Sequence, residues 1–128
     1  MLGSEQNPQR LSLPPTVVAG HLRSCADELT GSLQVTGAPA TAGELAEVVT
    51  QLVAGQHALA EALKGLSARI GLARRTGALA AAPEADVAAV AEILQMAAEA
   101  VGCSADALGE VEPSFECVSE SVGPGTRL

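Results

Sequence analysis

The sequence predicts an all-α protein: a three-helix antiparallel bundle around a long central heptad-repeat helix, with disordered segments at both ends. Three observations carry that expectation. Hydrophobic residues make up 48% of the 128-residue chain, yet it has one Phe and neither Tyr nor Trp. A core built from Leu, Val, Ile and Ala suits closely packed helices better than a sandwich rich in aromatic and β-branched strands. Alanine, the strongest helix former, is abundant. Most directly, a leucine recurs every seventh residue at Leu45, Leu52, Leu59 and Leu66.

The length fits one domain. Residues 1–15 hold three prolines among polar residues and read as a disordered N-terminal segment. Residues 16–109 read as the helical bundle domain. Helix 1 is expected to start near Thr16, after Pro14 and Pro15. Val18, Leu22, Cys25, Leu29 and Leu33 form its apolar stripe. Gly31 weakens its end, so it stops near Thr30 or frays to Val35. TGAPATAG (36–43) is a linker, and Thr41 with Glu44 fits a capping box. Helix 2 then runs from about Ala42 to Arg75, with Gly77 as its stop and arginines at its negative dipole end.

Pro83 suits the first turn of helix 3, with Glu84 and Asp86 at its positive end. Val87, Val90, Leu94, Ala97 and Val101 make its apolar stripe, and Gly102 is expected to break it before a last short turn capped by Ser104. Residues 110–128 are acidic and hold two prolines, and read as a disordered tail.

In heptad terms Leu45, Leu52, Leu59 and Leu66 occupy d, while Val49, Gln56, Leu63 and Ile70 occupy a. Gln56 is the polar residue that would set register, best satisfied by a partner's amide. The flanking positions are small or apolar, so the buried face is wider than a two-stranded seam. Helices 1 and 3 are expected to fold back on helix 2 from its two ends. With so few large side chains, some apolar face stays uncovered unless a second copy or a helical partner covers it. The expected function is therefore a non-enzymatic interaction module, a dimeric adaptor or regulator. It would act through Leu45, Val49, Leu52, Gln56, Leu59, Leu63, Leu66 and Ile70. A closed monomeric bundle is the competing reading.

The formal charge is −8, which argues against nucleic-acid binding by the whole chain. Lys64, Arg69, Arg74 and Arg75 form the one basic cluster, a candidate anion site. Pairing of Arg74 and Arg75 with Glu84 and Asp86 across the hairpin mouth, together with dipole compensation, accounts for them without a functional anion site. A regulator that binds nucleic acid or an anionic ligand through this cluster is one alternative function. His21 and Cys25 lie four apart, a spacing metal ligands use, but Cys25 falls on the apolar stripe, where it reads as a small hydrophobe. His57 falls at an outward position. Cys103 and Cys117 read as free thiols in a reducing setting. Phe115, the sole aromatic, sits among acidic residues as a short docking motif would, or folds back onto the bundle. No phosphate-loop, zinc or paired-carboxylate pattern is present, and no cofactor is expected. No charge-free run of about 18 apolar residues predicts a membrane span. The first 15 residues lack the layout of a signal peptide, so a cytoplasmic location is expected. Six arginines against one lysine, with much Ala and Gly, suit a GC-rich bacterial genome.

In being short, acidic, alanine-rich and helical, the chain resembles in general terms the small Trp-x-Gly helical-hairpin proteins that specialised secretion systems export. The Trp-x-Gly turn has no counterpart here, and Phe115 is followed four residues on by Ser119 rather than an acid. What the resemblance implies is the second alternative function, a helical-hairpin effector exported without a signal peptide.

Overall fold

The computed structural model describes residues 12–34 and 39–128. They form four helices: α1 (Pro15–Ser32), α2 (Ala42–Arg75), α3 (Glu84–Gly109) and α4 (Val111–Val122). No strand occurs among the described residues. The chain divides into two units, Met1–Pro39 and Ala40–Leu128.

The first unit contains α1. Pro15 opens it, where a missing N–H costs no intrahelical bond. Val18, Leu22 and Cys25 of its stripe are exposed and Leu29 is half-buried. The helix ends at Ser32, and the expected fraying to Val35 lies outside the described residues, as does most of the expected disordered N-terminal segment.

In the second unit α2 runs antiparallel to α3 and α4. Its 34 residues make a rod of about 51 Å at about 1.5 Å per residue. All of its first amides are satisfied. Ala42 N–H donates to Thr126 O (2.7 Å) and Gly43 N–H to Pro124 O (2.9 Å). Glu44 N–H donates to Thr41 Oγ1 (3.1 Å), and Thr41 N–H donates back to Glu44 Oε1 (2.8 Å), completing the expected capping box. Leu45 N–H donates to Thr41 O (3.0 Å). A helix start leaves four such donors, and here the C-terminal segment takes two of them.

The far end of α2 closes with a Schellman arrangement. Gly77 has φ +87, Ala78 N–H donates to Ala73 O (2.9 Å), and Gly77 N–H donates to Arg74 O (3.3 Å). Arg74 then pairs with Glu84 across the hairpin mouth.

Two expectations are corrected. Gly102 does not break α3, which continues to Gly109 with Ser104 inside it rather than capping a turn. One glycine costs a helix only about 1 kcal/mol, and here it sits at the contact with α2: a Cβ on Gly102 would lie 4.0 Å from Ala60 Cβ. The second correction concerns residues 110–128, expected to be a disordered tail. Residues 111–122 form α4, and the end of the chain pairs with the start of α2 through an isolated bridge between Thr41 and Arg127. Pro113 falls in the first turn of α4, where no intrahelical N–H is needed. Pro124 falls beyond Gly123, whose φ of +93 ends the helix.

Replacing Thr41 with Ala removes the cap from a helix start that the C-terminal segment also engages. Stability is expected to fall by about 1 kcal/mol in urea unfolding. Gly43→Ala would place a Cβ 3.2 Å from Pro124 O. It is expected to speed hydrogen exchange of the Leu128 amide, now bonded to Ala40 O at 3.0 Å, while the α2–α3 contact stays protected.

Candidate interaction surface

The contact between α2 and α3 is built from small side chains. Ala60, Ala98 and Ala105 are buried there beside Gly102. Val87 is the largest buried hydrophobic among the described residues, and no large side chain is fully buried. Ser67 Oγ bridges the helices by donating to Ala91 O (3.0 Å). On the same side His57 Nε2 lies 3.8 Å from Asp106 Oδ1, both exposed. They rim a cleft of about 340 Å³ floored by Ala60, Ala98 and Gly102.

These contacts decide where the heptad residues fall. Leu45, Val49, Leu52, Gln56, Leu63 and Ile70 are half-buried. Leu59 and Leu66 are exposed, at 36% and 48%. The inward positions at this end of α2 belong to Ala60 and Ser67, one residue further on. The cause is helical geometry: a strict seven-residue repeat drifts about 20° per heptad on a straight helix, so Leu66 is turned about 60° from Leu45. The leucine row thus starts on the inner face and ends on its flank.

In an antiparallel pair, the residue preceding an inward one projects to the same side from both helices. Leu59 precedes Ala60 and Leu66 precedes Ser67; on α3, Val90 precedes Ala91. Leu59, Leu66 and Val90 therefore share the side opposite His57 and Asp106, and Ile93, one turn along from Val90, is 63% exposed. The same row continues along α4. Only Glu110 separates α3 from α4, and its own backbone is helical (φ −70, ψ −18), so the helical phase carries through. Val111, Val118 and Val122 are exposed on it, and Phe115 is half-buried. Val111, Ser114, Phe115 and Val118 border a shallow hollow of about 290 Å³. This stripe on the outer side of α3 and α4 was missed in reading the sequence. Its signal was present in the steps of three and four that join Val90, Ile93, Ala97, Ala100 and Ser104.

Gln56 presents its Oε1 to the hairpin interior, buried and without a hydrogen-bond partner among the described residues. The basic cluster does not gather into one site: Lys64 pairs with Glu61 (3.0 Å), one helical turn away, and Arg74 with Glu84. Cys25, expected to be buried as a small hydrophobe, is exposed, because among the described residues of its own unit nothing covers that part of the α1 stripe. Cys103 and Cys117 are also exposed free thiols, on successive helices.

No protein-family model matches the chain, and neither a curated protein nor a solved structure shows significant similarity to it.

A buried acceptor without a partner costs about 1–3 kcal/mol. Gln56→Leu is therefore expected to raise the stability of the hairpin by about 1 kcal/mol or more, measured as a higher urea midpoint at unchanged slope. A lower midpoint would show that the amide has a partner in solution.

Proposed function

We propose that the chain is a non-enzymatic helical interaction module, a dimeric adaptor or regulator. The observation that carries this is the uncharged apolar face of the second unit. Leu59 and Leu66 of α2 and Val90 and Ile93 of α3 project from it into solvent, while the contact beneath them holds chiefly small residues. Exposed apolar side chains gathered on one face, rather than scattered singly, are what docking sites on soluble proteins present. The heptad row of α2 supports the same reading in two parts, with Leu45, Val49, Leu52, Leu63 and Ile70 half-buried toward the hairpin and Leu59 and Leu66 turned toward a partner. A closed monomeric three-helix bundle is the competing proposal, and a mass of one chain at every concentration would favour it. The three free thiols are consistent with a cytoplasmic setting.

The run Glu84–Val122 is also long and apolar enough to cross a membrane, with a window of mean hydropathy 1.4. The protein-docking reading is preferred because Glu92, Glu99 and Asp106 lie within that run. Ionised side chains at a bilayer centre cost about 2.5–3.5 kcal/mol each on insertion scales.

Leu66→Asp and Ile93→Asp test the proposal, since both side chains are exposed in the single chain. Each variant is expected to keep its helical circular dichroism while its thermal midpoint loses any dependence on protein concentration. Leu63→Asp, at a half-buried inward position, is expected to unfold the hairpin. If Leu66→Asp and Ile93→Asp bind phospholipid vesicles less than the unaltered chain does, with no change in self-association, the face is a membrane surface instead.

A further inference from the structure

The interaction reading leaves open what lies on the face and in which direction it runs. We infer that the occupant is a second copy of this chain, antiparallel to the first, with the two outer stripes of α3 and α4 in contact about a two-fold axis at Ser104. This rests on the interaction reading above and adds partner, orientation and register to it.

Charge supports the choice of partner. The chain carries −8, so two copies repel unless they meet where no charge lies. By helical periodicity Glu92, Glu99 and Glu110 lie about 100–120° around the helix from Ile93, off the outer stripe. Between Asp86 and Glu112 the outer stripe has no ionisable group. It is the one long side of this helix on which a copy can approach without setting carboxylate against carboxylate.

Charge also sets the direction. All four cations of α2, namely Lys64, Arg69, Arg74 and Arg75, lie in the half nearest the hairpin turn. Asp106, Glu110, Glu112, Glu116 and Glu120 lie toward the open end, and no cation accompanies them on α3 or α4. A parallel pair would set two acidic ends side by side. An antiparallel pair sets each acidic end beside the partner's basic turn, and it also opposes the helix dipoles.

Side-chain size agrees independently. Large residues stand at both ends of the stripe and small ones, Ala97, Ala100 and Ser104, in the middle of α3. With the axis at Ser104, Ala97 meets Val111 of the copy and Ala100 meets Leu108, so each of these alanines faces a larger residue, and Ser104 meets its own copy. Val90 meets Val118. Ile93 enters the hollow bordered by Val111, Ser114, Phe115 and Val118, four residues in the i, i+3, i+4, i+7 arrangement that receives one knob in coiled-coil packing. A parallel, in-register pair would set alanine against alanine and Phe115 against Phe115. That leaves gaps in the middle and crowding at the end, which close-packed interfaces do not tolerate.

Disulfide trapping tests the inference on the full chain with Cys25, Cys103 and Cys117 changed to Ser. Ser104→Cys should form a cross-linked dimer under mild oxidation, because residue 104 meets its own copy in either direction. Val90→Cys alone and Val118→Cys alone should stay uncross-linked, and their mixture should yield a disulfide-linked dimer of one of each. Cross-linking of Val90→Cys to itself, with Ser104→Cys also cross-linked, would overturn the antiparallel arrangement and leave the interaction reading standing. Failure of Ser104→Cys to cross-link, together with a monomeric mass, would overturn both.

Discussion

The close approach of α2 to α3 is the constraint on which the other features depend. Gly102 faces Ala60, whose Cβ would lie 4.0 Å from a Cβ placed on the glycine, and Ala98 and Ala105 are buried beside them. Two helices that meet through such residues pack tightly, but they bury little apolar area between them. The larger side chains, Leu59, Leu66, Val90 and Ile93, are left on the flank. Close packing supplies contact along the pair, while the apolar area of those exposed side chains, worth about 25 cal/mol per Å² when removed from water, stays in contact with solvent on that flank. The hairpin is in this sense a half-finished bundle.

The ends of the hairpin show how such a slender unit holds its shape. The turn end is closed by Gly77 and by Arg74 against Glu84. The open end is closed by the C-terminal segment, whose carbonyls at Pro124 and Thr126 take the first two amides of α2. The start of α2 thus depends on the last residues of the chain. α4 matters for the same reason: it extends the antiparallel partner of α2 far enough for residues 123–128 to reach the cap, and it extends the outer apolar stripe beyond α3.

Much of this was legible in the sequence where the signal was local. The capping box at Thr41 and Glu44, the limits of α2, the stop at Gly77 and the neighbourhood of Arg74 and Glu84 depend on residues a few positions apart, or on one short turn. Gly102 misled because a single glycine costs a helix only about 1 kcal/mol, and the contact with α2 around Ala60 holds α3 through it. The acidic C-terminal region misled because composition outweighed periodicity. Val111, Phe115, Val118 and Val122 keep helical spacing through that stretch, and Pro113 falls where a first turn accepts it. Which leucines of the repeat face inward depends on the drift between 3.5 and 3.6 residues per turn, and on which small residues the partner helix presents. Residue spacing alone does not carry that second piece of information.

As a candidate site, then, the heptad row divides. Leu45 and Val49 help to close the hairpin, whereas Leu59 and Leu66 join Val90 and Ile93 on a face that a single hairpin does not cover. The central claim is that this face is covered by another copy of the chain. The most direct measurement is the molar mass in solution, by sedimentation equilibrium over a wide range of concentration. The account predicts a mass of twice the 12.8 kDa chain that falls toward a single chain only on dilution. A mass of one chain at every concentration would contradict it.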